Sequence, residues 1–330
     1  MAASKIRLAI LDDYQGIAAA KFSHLQPKFE VTTFSDNINP SGKAEKDALI
    51  ERLRPFTVIS TMRERTPLSK DVITSLPNLK LVLTTGMKNS AIDMAACAEQ
   101  NIIVAGARGI GKSGEEHCSR RCGCQVWPLG DSSGYRLEGK TLGLLGFGNL
   151  GARVASGGVW AFGMKILAWS SNLTQEVAEQ KAKSFGLPPG TFKVAASKED
   201  LLKEADVLSI HYVLSERSRD ILGERELALL KPSVLLVNTL RGPLVTEKAL
   251  LETLNRGRIK GAALDVYEVE PLPMDSPWRT AAWGTDGRSQ VLLSPHMGYV
   301  EEGAMNRWYE DTALNLEPWL EGKDIPTRFN

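Results

Sequence analysis

Short apolar runs alternate with amphipathic stretches from the first residues of the chain onward. Ile6–Leu11, Glu30–Thr33, Val58–Ser60, Leu79–Leu83 and Ile102–Val104 have the length and composition of buried strands. Between them, Ala44–Leu53 and Ala91–Gln100 repeat apolar residues at helical spacing. Strand and helix in turn predict a parallel sheet covered on both faces, because each parallel crossover lays a helix over the sheet.

A second series begins at Lys140. Thr141–Leu145 reads as a strand, Asn149–Trp160 as a helix, Met164–Trp169 as a strand and Leu173–Phe185 as a helix. Phe192–Val194, Val207–Ile210 and Val234–Val237 follow as strands, then Glu247–Asn255 as a helix with Gly257 shortly past its end. A last helix, Glu301–Leu320, carries Trp308, Leu314, Leu316 and Trp319 and is placed to return to the first half. The expected organisation is one α/β domain over 1–105 completed by 300–330, and a second over 106–299. Residues 106–139 break the rhythm as an atypical hinge, rich in Gly, Cys, Arg and Ser and without a helical pattern. That is long for a structureless connection inside a compact protein.

Composition narrows the function classes. Apolar content of 43% and charged content of 24% are those of a globular protein, and 40 cationic against 39 anionic side chains leave a net charge of +1. Such a balance gives no electrostatic reason for nucleic-acid or membrane binding. No apolar run approaches the roughly 20 residues of a membrane span. No signal-peptide core precedes Ile6, so a cytoplasmic protein is expected. Cys97, Cys118, Cys122 and Cys124 are too few and too clustered for a secreted disulfide scaffold. His117 with the last three matches no zinc spacing, so reduced thiols are expected rather than a metal site.

Gly146-Phe147-Gly148-Asn149-Leu150-Gly151 follows one predicted strand and opens the next helix. In that context the first glycine makes the tight turn, Gly148 lets backbone approach a pyrophosphate, and Gly151 permits close helix–strand packing. The helix start then offers its N–H groups to the phosphates. After the following strand, Ser170-Ser171-Asn172 stand where an NAD-preferring site has an acidic residue for the ribose hydroxyls. Hydroxyls and an amide do not repel a 2′-phosphate, so the cofactor expectation is NAD(P), leaning towards NADP.

Three more strand-like runs end in chemistry. Val234–Val237 precedes Arg241, Gly261–Leu264 precedes Asp265 and Glu270, and Val291–Leu293 precedes His296. A cation, a carboxylate and an imidazole brought to one edge of one sheet can bind and protonate an oxo acid.

These motifs, in this order, resemble the D-isomer-specific 2-hydroxyacid dehydrogenase family. The resemblance rests on Gly139-Lys140-Thr141-Leu142-Gly143, the glycine turn, His211 with Leu214, and Asn238-x-x-Arg241-Gly242. It continues through Asp265-Val266-Tyr267, Glu270-Pro271 and Ser294-Pro295-His296-x-Gly298, with Thr84-Thr85-Gly86 and Asn89-x-x-Ile92-Asp93 in the N-terminal half. It implies two doubly wound parallel-sheet domains, a Rossmann-type NAD(P)-binding domain and a flavodoxin-like substrate domain.

By the same resemblance His296 is the general acid, Glu270 hydrogen-bonds and orients it, and Arg241 binds the substrate's carboxylate or carbonyl. Gly146, Gly148, Asn149, Leu150, Gly151, Ser170, Ser171, Asn172, His211, Thr239, Leu240, Asp265 and Gly298 fall to the cofactor. Arg63 and the backbone at Gly86 fall to the substrate, a small 2-oxo acid. The activity implied is hydride transfer that reduces this acid to a D-2-hydroxy acid, in a homodimer. A second function class is a cofactor-sensing binding protein of corepressor type on the same scaffold.

One stretch departs from the family. After Glu116-His117 the family continues into a long apolar helix that links the domains and contributes to the dimer interface. Here Cys118 to Gly130 lacks apolar periodicity, and Gly123, Pro128 and Gly130 oppose a continuous helix. The expectation is intact catalytic groups with compromised stability, dimerisation or activity.

Overall fold

Apolar runs become strands that pair in parallel throughout, as residues buried on both faces of a sheet require. The computed structural model describes residues 5–87, 89–108 and 136–330. The chain divides into two compact units, Met1–Gly114 with Val300–Asn330, and Glu115–Tyr299.

The first unit is built on β1 (Ile6–Ile10), β2 (Phe29–Thr33), β3 (Val58–Thr61), β4 (Leu81–Thr84) and β5 (Ile103–Gly106), in the order β2-β1-β3-β4-β5. That is the flavodoxin-like doubly wound order, whose direction reverses between β1 and β3. Ile59, Val82 and Val104 on the sheet and Leu49, Leu53, Val72 and Ala96 on the helices form its core. Helix Met94–Glu99 is shorter than its apolar pattern, because the Asp93 carboxylate caps it by accepting from the Ala96 N–H at 2.9 Å.

The second unit holds β6 (Thr141–Leu145), β7 (Lys165–Trp169), β8 (Phe192–Val194), β9 (Val207–Ile210), β10 (Leu235–Asn238), β11 (Gly261–Leu264) and β12 (Gln290–Leu293). Their order is β12-β11-β10-β9-β6-β7-β8, a Rossmann sheet extended by one strand, with its reversal between β6 and β9. One face carries a core of Leu201, Leu208, Leu236, Leu250 and Ile259. On the other, Ala152, Ala155, Ala178 and Ala182 let helices Asn149–Phe162 and Gln175–Ser184 lie close to Leu144 and Ile166. Trp278 and Trp283, in the insertion before β12, pack at 5.9 Å between ring centres and cover this unit's core, with Trp278 also against Tyr267.

The C-terminal helix differs from its pattern. It forms as Glu302–Leu314 and Leu316–Leu320, broken at Asn315. Pro318 explains the break, since a continuous helix would need its missing N–H and would drive its ring into the preceding turn. Asn315 uses the break: its amide donates to the Gly106 carbonyl at 2.9 Å and accepts from the Thr327 hydroxyl at 3.0 Å. Leu314 is therefore exposed while Leu316 is fully buried. The expectations placed on Glu116, His117, Cys118, Cys122, Cys124 and the stretch to Gly130 lie outside the described residues, as does Lys88.

Candidate active site

The glycine turn is shaped by close approaches on two sides and by open space on the third. Gly146 ends β6 with φ at +99°, and a Cβ there would stand 2.5 Å from the carbonyl of His211. A Cβ on Gly151 would stand 2.6 Å from the carbonyl oxygen of Gly146. At Gly148 nothing lies within 4 Å, so ligand backbone or phosphate can come close there. Gly148 is also the N-cap of helix Asn149–Phe162, with no side chain capping the first turn. Uncapped N–H groups and the positive end of a long helix then face the open side. The residues present therefore fit a dinucleotide pyrophosphate.

Around this turn stand the loops that follow the neighbouring strands. His211 follows β9 and is almost fully buried against the turn; its Nε2 lies 2.8 Å from the Ser209 hydroxyl. Its Nδ1 has no hydrogen-bond partner among the described residues, and burial pushes the imidazole pKa down to about 4. The ring therefore stays neutral. Ser170 is half-buried after β7, while Ser171 and Asn172 are exposed. Tyr212 reaches across to Ser171, and Lys181 places its Nζ 3.5 Å from the Asn149 amide oxygen.

The remaining chemistry sits at the ends of β10, β11 and β12, which are adjacent and parallel and so deliver it to one edge. Asn238, buried at the end of β10, donates to the Arg241 carbonyl at 2.9 Å and accepts from the Leu240 N–H at 3.1 Å. These bonds fix the Thr239–Arg241 loop, on which the Arg241 guanidinium donates to the Leu240 carbonyl at 2.7 Å. Beyond β11, the Glu270 carboxylate hydrogen-bonds His296 Nδ1 and accepts from the Tyr267 N–H at 2.9 Å. His296 follows β12 in left-handed backbone with φ at +51°, its ring edge-on to Tyr299. Asp265 holds this conformation, since its two carboxylate oxygens accept from the N–H groups of Met297 at 2.9 Å and Gly298 at 2.8 Å. With Nδ1 committed to Glu270, Nε2 is the nitrogen left to face a reacting group.

Arg63 and Gly86 belong to the first unit, at the ends of β3 and β4. Arg63 has φ at +52°, donates its N–H to the Thr85 hydroxyl at 3.0 Å, and sets its guanidinium over the Trp308 ring at 5.5 Å. Asn89 ties this loop down by donating to the Arg63 carbonyl at 2.6 Å and the Thr84 hydroxyl at 2.9 Å. A Cβ on Gly86 would stand 2.7 Å from Arg63 Nη1, so the two candidate substrate residues touch.

Three residues near the turn escape sequence reasoning. Tyr212 and Trp169 carry no motif, and Tyr212 meets Ser171 from 41 residues away, beyond any local pattern. Lys181 shows as one of two lysines on its helix until the fold brings it to Asn149.

Comparison with known proteins gives consistent matches. A family model described as "D-isomer specific 2-hydroxyacid dehydrogenase, NAD binding domain" matches residues 94–298. The hydroxypyruvate reductase of Thermotoga maritima is 31% identical over 80% of this chain and 84% of its own length. The D-3-phosphoglycerate dehydrogenase of Methanocaldococcus jannaschii is 32% identical over 84% of this chain. The chain spans about half the length of that protein (52%) and of the glyoxylate reductase of Aeropyrum pernix (53%). Among solved structures, a phosphoglycerate oxidoreductase from Vibrio cholerae o395 superposes with a TM-score of 0.79 at 33% identity, covering 96% of this chain and 99% of that one.

Proposed function

The chain belongs to the D-isomer specific 2-hydroxyacid dehydrogenase family of NAD(P)-dependent oxidoreductases, and from that premise we propose that it reduces a small 2-oxo acid to a D-2-hydroxy acid. The observation that carries this reading is the Glu270–His296 pair, set at the same sheet edge as the glycine turn and Arg241.

NAD(P)H, when bound, would supply the hydride for reduction of the carbonyl. His296 Nε2 gives its proton to the carbonyl oxygen as that oxygen gains charge. Glu270 orients the imidazole through Nδ1, and Asp265 fixes the backbone on which it rides. Arg241, with a planar cation suited to two parallel hydrogen bonds, takes the substrate carboxylate. Gly146 to Gly151 would hold the pyrophosphate; Ser170, Ser171 and Asn172 would meet the ribose, and His211, Thr239 and Leu240 would line the dinucleotide. The absence of a carboxylate at 170–172 supports acceptance of NADPH, and Lys181 near the turn adds a cation on that side. Arg63 and the backbone at Gly86 remain candidate substrate residues on the family resemblance. Relatives known as glyoxylate reductase and hydroxypyruvate reductase make glyoxylate and hydroxypyruvate the first substrates to try.

The test follows NAD(P)H absorbance with either acid. His296→Ala is expected to lower kcat by about 100- to 10,000-fold, the usual worth of a placed acid, while dinucleotide affinity is kept. Full turnover in that variant refutes the acid. Dinucleotide binding without turnover in the unaltered chain refutes the reductase and favours a sensor.

A further inference from the structure

We propose that Tyr212 sets the preference between NADH and NADPH, by tying the hydrogen-bond donors of Ser171 to its own hydroxyl. The inference rests on the dinucleotide reading of the glycine turn given above.

β7 and β9 flank β6 on opposite sides, so the loops that follow them rise on either side of the turn. Two sheet spacings, about 10 Å, separate those loops at their base. Tyr212 spans that gap. Its ring lies within 25° of parallel to that of Trp169, the last residue of β7, with 6.3 Å between ring centres. Its hydroxyl accepts from the Ser171 backbone N–H at 3.1 Å and lies 2.9 Å from Ser171 Oγ. The loop assigned to the adenosine ribose is thereby held from the far side of the cofactor turn.

Counting protons shows what this latch offers a ligand. The latch holds three protons: the Ser171 amide proton and the hydroxyl protons of Ser171 and Tyr212. The amide proton goes to Tyr212 Oη, and one hydroxyl proton bridges the two oxygens. A single hydroxyl proton remains to point outward. Such a cluster both donates and accepts, which suits a ribose hydroxyl. A 2′-phosphate carries close to two negative charges and only accepts, so it is served by donors alone. With no carboxylate at 170–172 to repel that phosphate, the donor count of this loop bears on discrimination beside the Lys181 cation. Removing the Tyr212 oxygen turns both the Ser171 N–H and its hydroxyl outward, while the ring that stacks on Trp169 stays.

The experiment is calorimetric titration of the full chain with NADH and with NADPH, for the unaltered protein, Tyr212→Phe, and Tyr212→Phe combined with Ser171→Ala. In Tyr212→Phe the ratio of the two Kd values is expected to move about tenfold towards NADPH, or about 1.4 kcal/mol. In the double variant one freed donor is gone, and the gain should shrink. An unchanged ratio in Tyr212→Phe overturns the proposal, and so does an equal weakening of both nucleotides, which marks a purely structural residue. A full gain persisting in the double variant overturns the assignment to Ser171. If the unaltered chain binds neither nucleotide, the dinucleotide reading fails first and this inference with it.

Discussion

His211 is a base kept neutral by its surroundings. It is 8% exposed, its ring has one hydrogen-bond partner among the described residues, Ser209, and burial takes its pKa from the usual 6.5 to about 4. The unfolded chain therefore binds this proton more readily than the folded one does. Stability from His211 is complete above pH 6.5 and drains away as pH falls towards 4, by an amount on the order of 3 kcal/mol. Urea midpoints measured across that window should slope downward towards acid, and His211→Gln should flatten the slope. An unaltered chain whose midpoint shows no such slope contradicts a neutral buried imidazole. The placement of Arg241, Glu270 and His296 after strands was legible, because each stands within a few residues of an apolar run. That Asp265 would spend both oxygens on the backbone of Met297 and Gly298 was not, since that bond joins residues more than 30 apart.

Among the elements, the strand–turn–helix of β6 and Asn149–Phe162 separates folding from binding at neighbouring glycines. Gly148→Ala adds a methyl into open space at φ −76°, so thermal stability should hardly move while dinucleotide affinity falls at least about tenfold. Gly146→Ala meets the His211 carbonyl at left-handed φ, so it should lower Tm as well as affinity. Equal Tm losses in the two variants contradict this division, and melting curves with nucleotide titrations read it directly. The strands were legible because a parallel strand buried on both faces must be apolar along its length. Boundaries shifted by a residue or two, as at Leu81–Thr84, where burial continues into the threonine. The break at Asn315 was less legible, because Pro318 also fits the first turn of a helix and its effect depends on where that helix starts.

For the molecule as a whole, each unit has its own apolar core, and only the second contains the glycine turn. Scanning calorimetry with added NADPH should therefore raise the transition that belongs to residues 115–299, by about 2.7 kcal/mol at a hundredfold excess over Kd. The other transition should stay in place, and a single transition that moves as one would show that the units unfold together. The first unit has a further property. Its edge strand β5 is covered by residues 327–330: Phe329 donates to the Val104 carbonyl at 2.8 Å, Gly106 to that of Thr327 at 3.0 Å, and the Asn330 amide accepts from Val104 across 226 residues. During synthesis at about 5–20 residues per second, that edge waits on the order of 10 to 45 seconds for its cover. Until residues 327–330 emerge, β5 stays a bare, pairing-competent edge, and a nascent chain that stops short of them offers that edge to any folding helper in reach.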